Sequence, residues 1–262
     1  MILQVYENEK EKILDCLKDD PTRALFIVGD ILNYGMHRDF QDVWVDEDEL
    51  GIHGIYLRYR SNLVFYIIDK VVDEKGVFNL FNDDRITIFS STRSHVDKLP
   101  SSISQMGKLR ETYFCECKQL KGNLSNALKA TIDDVPDLVD ALMSITEFDL
   151  DKRPREERIE DMKTDFKEND KVVYILRDHE KIISAASSSA KTDRAVMVVG
   201  VFTLPQYRQK GYARQVVSAL TKWAIDDGLV PCLFYDNPKA GELYHDLGYV
   251  TFDTWVMGVK AS

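Results

Sequence analysis

The sequence predicts a mixed α/β (α+β) protein made of two halves, and three observations support this fold class. The chain has 262 residues, 44% of them apolar, which allows one large domain or two small ones with real cores. Runs typical of strands alternate with segments of helical periodicity along the whole length. A turn-like stretch at 121–123 separates halves with a similar order of elements. We therefore place a domain boundary there, giving domains over residues 1–120 and 121–262.

The first half is predicted to hold two helices followed by strands. Apolar residues at helical spacing predict a helix over 7–18, and Pro21, a usual residue for a first helical position, begins a second helix. Residues 77–81 fit either a helix or a strand, and residues 92–108 have a partly helical pattern. The strand-like runs are 43–45, 54–60, 63–68, 85–90 and 111–118.

The second half is predicted to follow the order strand, two helices and two strands, before a third strand leads into a turn and a helix. Asp133 and Asp134 lie at the start of the first helix, where the positive end of the helix dipole favours acidic residues. The predicted strands are 127–131, 172–177 and 182–190, and the predicted helices are 133–145 and 155–168.

The stretch that organises the second half is a strand, a turn and a helix over 196–227. An apolar run at 196–204 predicts the strand, and Pro205 ends it because proline cannot donate to a ladder. Gly228 stands where a glycine C-cap belongs, so it marks the end of the helix. The apolar face of that helix is predicted from Ala213, Val216, Val217, Leu220 and Ala224.

The turn between this strand and helix has the features of a phosphate-binding turn. N–H groups at a helix start point outward without partners, and the dipole there favours anions. Gly211 lets the backbone approach a ligand closely, and Arg208 and Lys210 add positive charge. An ordinary strand–turn–helix connection is the alternative interpretation of the same residues.

A second pattern follows the helix. Residues 232–235 form an apolar run, and Asn237-Pro238 then opens a short helix, with Asn237 as a natural N-cap. That helix carries Leu243-Tyr244 and ends at Leu247-Gly248-Tyr249.

Together, the R-x-x-G-x-A turn at 208–213 and the L-Y-x-x-L-G-Y pattern at 243–249 resemble the acetyl-CoA signature of the GNAT superfamily of N-acetyltransferases. The resemblance covers roughly residue 124 to the C-terminus. It implies a mixed, mostly antiparallel sheet flanked by helices, in which a bulge splays the central strand from its neighbour and opens a slot. Because the first half has a similar order of elements without the glycine turn, we interpret it as a degenerate repeat, which gives two tandem GNAT-like domains.

The resemblance also implies how acetyl-CoA is held as co-substrate. Main-chain amides from Gln209 to Ala213 would cradle the pyrophosphate, and the main chain at 201–203 would pair with the pantetheine arm. Asn237 would cap its helix, bind the pantetheine, or do both. The residues assigned to the co-substrate are Val201, Phe202, Thr203, Arg208, Gln209, Lys210, Gly211, Tyr212, Ala213, Arg214 and Asn237.

Two residues are candidates for the chemistry itself. Tyr244 matches the family's tyrosine that protonates the departing thiolate, and a core tyrosine is the alternative. Many family members carry a glutamate on the central strand, but residues 195–205 contain no carboxylate here. Glu147 and Asp149 follow the first helix, where the family's substrate loop lies, and either could accept the proton, directly or through water; we name Glu147 as the candidate base, and the alternative is that both are solvated loop acids.

Composition limits the partners and the location. A formal net charge of −10 argues against nucleic acid or an anionic membrane as the main partner and suits a cationic small-molecule amine. No long uncharged apolar run and no signal-peptide pattern is present, so we expect a cytoplasmic protein. Four cysteines show no zinc spacing, and we expect no metal.

The activity expected is an acetyl-CoA-dependent N-acetyltransferase. The alternatives are a CoA-binding sensor without turnover and an acyltransferase that uses a longer acyl-CoA. The oligomeric state cannot be predicted from the sequence.

Overall fold

The computed structural model describes residues 1–104, 107–122, 125–145, 153–168 and 171–260. Across these residues, thirteen strands form one continuous, mostly antiparallel sheet with helices on both faces. The strands are β1 (Ile2–Val5), β2 (His37–Arg38), β3 (Gln41–Asp48), β4 (Gly51–Tyr59), β5 (Asn62–Ile67), β6 (Ile88–Thr92), β7 (Lys108–Glu116), β8 (Leu128–Lys129), β9 (Val173–Asp178), β10 (Lys181–Ser189), β11 (Ala195–Thr203), β12 (Val230–Tyr235) and β13 (Val250–Val259).

The helices lie between these strands in an order that repeats. They are α1 (Lys10–Leu17), α2 (Leu25–Tyr34), α3 (Glu74–Phe81), α4 (Arg93–Val96), α5 (Ser101–Ser104), α6 (Val135–Met143), α7 (Arg155–Glu168), α8 (Tyr212–Asp226) and α9 (Pro238–Asp246). Short 3-10 turns at Glu7–Glu9, Ile132–Asp134 and Pro205–Tyr207 precede α1, α6 and the turn before α8.

The two halves share one topology, which confirms the predicted tandem arrangement. In the first half β1, β3, β4 and β5 pair antiparallel in that order, and β5 then pairs parallel with β6. In the second half β8, β9, β10 and β11 do the same, and β11 pairs parallel with β12. Helix α3 connects β5 to β6 as α8 connects β11 to β12. The first half therefore offers an internal comparison for every feature of the second.

The halves are joined by an exchange of their last strands. Strand β7, the last of the first half, lies between β12 and β13, and β13, the last of the second half, lies between β6 and β7. All of these contacts are antiparallel. The strands of the two halves thus form one continuous sheet, and the sheet does not mark where one domain ends. The boundary at 120/121 stays a prediction.

Helices cover the two faces of the sheet differently. The face that carries Phe114 of β7 and Phe234 of β12 packs against helices α1 and α2; we call it the α2 face. The opposite face carries Cys115 and Leu233 and packs against Val216 of helix α8; we call it the α8 face. Because side chains alternate along a strand, neighbouring residues in β7 and β12 belong to different faces.

Some elements differ from the sequence prediction in position or type. The ambiguous residues 77–81 belong to a helix that begins at Glu74, where the Asp73 side chain accepts from the Gly76 N–H and so caps the first turn. The strand expected at 85–90 lies at Ile88–Thr92. Strand β13, which pairs with two strands of the first half, was not predicted at all.

Candidate functional site

A slot opens in the second half where two parallel strands part. Strands β11 and β12 are paired only from Ala195↔Val230 to Met197↔Cys232. Beyond this point β11 continues to Thr203 and β12 continues to Tyr235, but the two strands no longer pair with each other. In this described part of the sheet, one edge of β11 from residue 198 onward therefore lacks a strand partner.

A β-bulge at Gly200 and Val201 marks the place where β11 turns away. On the other side of β11, Phe202 pairs with Ala185 and Val199 pairs with Ser187, so β11 has one residue more than β10 between these pairs. Gly200 takes a φ of +58°, which a glycine adopts without strain. The bulge and the separation of the strands are the two features that the family resemblance implied.

The turn after β11 leaves the start of α8 open. Gly211 is the N-cap residue, with a φ of +78°, and none of the described side chains caps this helix. Gln209 also takes a positive φ, +64°. A Cβ at Gly211 would meet no atom within 4 Å, so the space beside the N-cap of the helix is open. This geometry suits an anion such as a pyrophosphate.

The slot and the turn belong to one cleft of about 630 Å³, which we call the β11–β12 cleft. All the residues predicted to bind the co-substrate line it except Lys210, whose ammonium lies over the Tyr207 ring instead. The lining residues are Ile145, Val201, Phe202, Thr203, Tyr207, Arg208, Gln209, Gly211, Tyr212, Ala213, Arg214, Asp236, Asn237, Lys239, Ala240, Leu243 and Tyr244.

Two arginines place positive charge at the turn. The Arg208 Nε donates to the Thr203 carbonyl oxygen at 3.1 Å, and the Arg214 guanidinium pairs with Asp246 at 2.6 Å. Both side chains line the cleft beside the open start of α8. Charge from two guanidinium groups adds to the helix dipole there.

Asn237 and Tyr244 are placed by the same short helix. Asn237 is the N-cap of α9, and its Oδ1 accepts from the Lys239 N–H at 3.0 Å, so the predicted capping role is confirmed. Tyr244 lies two turns further on, with its ring 5.9 Å from the Tyr235 ring and 5.9 Å from the Tyr249 ring. Because both residues also line the cleft, helix α9 forms the wall opposite β11.

The Tyr244 side chain lines the cleft and keeps its hydroxyl proton at neutral pH. The residue is 7% exposed. Burial raises the pKa of Tyr244 to about 12, with a smaller effect from nearby Cys115. The side chain is therefore protonated at neutral pH and can donate to an anion that forms in the cleft.

The predicted bases lie outside the described residues, since Glu147 and Asp149 fall between residues 145 and 153. Sequence reasoning did not assign six of the lining residues, which are Ile145, Tyr207, Asp236, Lys239, Ala240 and Leu243. Asp236 directly precedes Asn237, and this adjacency was the available signal. Tyr207 directly precedes Arg208 and Leu243 directly precedes Tyr244, so the same signal was available for them. No local pattern assigned Ile145, Lys239 and Ala240 to the cleft.

The corresponding slot in the first half is filled by the chain itself. The Ser91 hydroxyl donates to the Phe65 carbonyl oxygen, and both His95 Nδ1 and Lys98 Nζ donate to the Ile67 carbonyl oxygen, at 3.0 and 2.9 Å. These side chains thus provide hydrogen-bond donors to the carbonyl oxygens along the edge of β5. That edge corresponds to the open edge of β11 in the second half. Burial lowers the pKa of His95 to about 4, so this ring is neutral in its site.

The corresponding turn in the first half is filled as well. The fully buried Asp46 carboxylate accepts from the N–H groups of Val72 and Asp73, at 2.7 and 3.2 Å. Asp73 in turn accepts from the Gly76 N–H at 2.9 Å. Two carboxylates thus occupy the amides that correspond to the open turn before α8, and a second anion would meet both charge and steric repulsion.

Residues 136–249, which are 114 of the 262 residues and lie in the C-terminal half, match the family model described as the acetyltransferase (GNAT) family. No curated protein matches the sequence.

Solved structures with the same fold cover both halves. An acetyltransferase of the GNAT family from Colwellia psychrerythraea is 12% identical, with a TM-score of 0.63 and 100% of each chain covered. A tandem GNAT protein from the clavulanic acid biosynthesis pathway is 9% identical, with a TM-score of 0.62, covering 98% of this chain and 97% of that one. A GCN5-related N-acetyltransferase from Kribbella flavida is 14% identical, with a TM-score of 0.55, covering 80% and 87%. Identities this low show the fold alone.

Membrane-spanning helices and metal-binding clusters would each give a recognisable arrangement among the described residues. No helix among them is both long and apolar enough to span a bilayer. No group of three or more histidine, cysteine, aspartate or glutamate side chains among them comes together as a metal site would require.

Proposed function

We propose that the protein transfers the acetyl group of acetyl-CoA to a primary amine of a small molecule or amino acid derivative. The observation that carries the proposal is the β11–β12 cleft, which joins an open helix start, an unpaired strand edge and the Tyr244 hydroxyl. The open helix start suits the diphosphate of acetyl-CoA, and the unpaired strand edge suits the amides of its pantetheine arm. The Tyr244 hydroxyl suits the leaving thiolate. The first half has the same topology but its own side chains fill the corresponding positions.

In this mechanism the protein binds and orients acetyl-CoA and supplies one proton. The open N–H groups at the start of α8 hold the diphosphate, with Arg208 and Arg214 beside it. The unpaired edge of β11 pairs with the pantetheine, as an added strand would. A main-chain N–H at the Gly200–Val201 bulge donates to the thioester oxygen, where negative charge develops as the amine attacks.

The chemical step is balanced in protons. The amine nitrogen forms a bond to the carbonyl carbon and gives a tetrahedral intermediate, and the C–S bond then breaks. The nitrogen loses one proton to water as the amide forms, and Tyr244 gives one proton to the leaving sulfur. The products are the N-acetylated acceptor and free CoA thiol, and Tyr244 regains its proton from solvent.

Release of CoA thiol from acetyl-CoA, followed over a panel of primary amines, tests this proposal. Acetylated amine identified by mass in equal amount to the thiol would support it. A protein that binds acetyl-CoA and releases no thiol with any amine would instead be the sensor considered above. A series of acyl-CoA chain lengths on the same amine tests whether acetyl is the preferred group. The cytoplasmic location and the lack of nucleic-acid and membrane partners stay predictions.

The full chain should bind one CoA per molecule. In the first half, Asp46 and Asp73 occupy the amides of the turn, and three side chains close the slot, so only the second half can accept a diphosphate. Calorimetric titration with CoA measures the number of sites. Two equivalents per chain, or a single site that persists after Gly211→Glu, would assign binding to the first half and contradict this comparison.

A further inference from the structure

The two faces of the sheet separate the acyl donor from its acceptor. Helices α8 and α9, which form the turn and carry Tyr244, both lie on the α8 face. A thioester held between β11 and β12 can therefore be reached by an amine only from the α2 face or from the open end of the slot. Ile145, two residues after the end of α6, lines the cleft and packs against Ala185 of β10, whose neighbour Ala186 packs against α8, so the cleft reaches the side of the sheet opposite α8.

Asp236 is the carboxylate that lies on this approach. Among the described residues that line the cleft it is the single acidic one. It follows β12 directly, two positions after Phe234, whose ring packs on the α2 face against Phe114 at 4.5 Å. Asp236 lies just beyond the last residue of β12, and its carboxylate reaches Arg110 of β7, which places it on the acceptor side, whereas Tyr235 packs beside Tyr244 on the other side.

Arg110 places the opposite charge beside this carboxylate. It is on β7, four positions before Phe114 in an unbroken register, so it shares the α2 face. Its guanidinium lies 3.3 Å from the Asp236 carboxylate, although the two residues are 126 positions apart in the sequence. The exchange of strands between the halves brings them together, because β7 is the strand next to β12.

This ion pair is open enough to exchange its partners for a ligand. The Arg110 side chain is 75% exposed and the Asp236 side chain 64% exposed. Exposed pairs of this kind contribute little to stability, so separating the two groups costs little. The Arg110 guanidinium can bind the carboxylate of a zwitterion, and the Asp236 carboxylate beside it can bind the ammonium.

We propose that the acceptor is an α-amino acid or a close zwitterionic relative, with Asp236 binding its ammonium and Arg110 binding its carboxylate. The inference rests on the proposed function and names its substrate class. Held this way, the amino group lies at the end of the slot, where the ammonium loses a proton to solvent before its lone pair attacks. An amine without a carboxylate would keep only half of these contacts.

Binding to the CoA-saturated full chain is the measurement, since it does not depend on turnover. Calorimetry over the common α-amino acids and their matched α-carboxamides should find amino acids that bind and carboxamides that bind about ten-fold more weakly or worse. Absence of binding by every amino acid, or equal binding of acid and amide, would overturn the inference.

Two neutral variants separate the contacts. Arg110→Gln should weaken amino acid binding about ten-fold and make acid and amide equivalent, because the carboxylate loses its partner. Asp236→Asn should weaken both ligands by a similar factor, because both keep the ammonium. Asp226→Asn is the matched control, since it breaks an exposed Lys222–Asp226 pair near the far end of α8 and should leave both affinities unchanged.

Failure of the inference and failure of the proposed function give different results. Thiol release with simple amines, unaffected by Arg110→Gln and Asp236→Asn, would preserve acetyl transfer and refute the zwitterion. Amino acid binding that follows the expected pattern, with no thiol release from acetyl-CoA, would preserve the binding site and refute the transferase.

Discussion

Substitution of Gly211 by glutamate should abolish CoA binding while the chain stays folded. Gly211 has a φ of +78°, and the space in front of it holds no atom within 4 Å of a Cβ position. A glutamate side chain would project into that space and place a carboxylate beside the helix N–H groups. The same arrangement occurs naturally in the first half, where Asp46 and Asp73 occupy the corresponding amides.

Gly228→Glu is a control that matches the backbone cost. Gly228 has the same φ of +78° and the same open space, but it lies beyond the other end of α8. Each variant should lose about 1–2 kcal/mol of unfolding free energy, because a side chain is strained in the left-handed region. Calorimetry with CoA should find binding in Gly228→Glu and none in Gly211→Glu. Equal CoA affinity in the two variants would refute the phosphate-binding turn.

The features of the site that could be predicted from sequence are those encoded within short segments. The strand, the glycine turn and the helix of 196–227 form one continuous piece, so their order fixes the open helix start. Asn237 and Tyr244 are likewise fixed by the length of α9. The cleft therefore contains nearly all the residues expected for the co-substrate.

The features that escaped prediction depend on pairing between distant segments. Strand β13 was missed as an element, and its place between β6 and β7 depends on contacts with the other half. The Arg110–Asp236 pair arises from the same exchange of strands, which no local pattern encodes. In the first half, the burial of Asp46 beneath the turn at 72–73 became apparent only in three dimensions.

Tyr244→Phe should lower turnover about a hundred-fold or more and leave CoA affinity unchanged. The hydroxyl acts when the thiolate forms, so its contribution belongs to the transition state and not to the bound co-substrate. Phenylalanine keeps the ring packing against Tyr235 and Tyr249, and the helix should stay in place. Because burial raises the pKa of Tyr244 to about 12, the acid stays protonated well above neutral pH, and its ionisation should not limit turnover in that range.

Tyr235→Phe is the matched control, because it removes a hydroxyl from the neighbouring tyrosine and leaves that of Tyr244 in place. The Tyr235 hydroxyl lies 3.0 Å from His245 Nε2, and Tyr235 is not among the residues that line the cleft. That variant should retain the turnover of the parent in the thiol-release assay with the same acceptor. If Tyr244→Phe also stays within about two-fold of the parent, well short of the effect of losing a general acid, Tyr244 is a packing residue and another group protonates the thiolate.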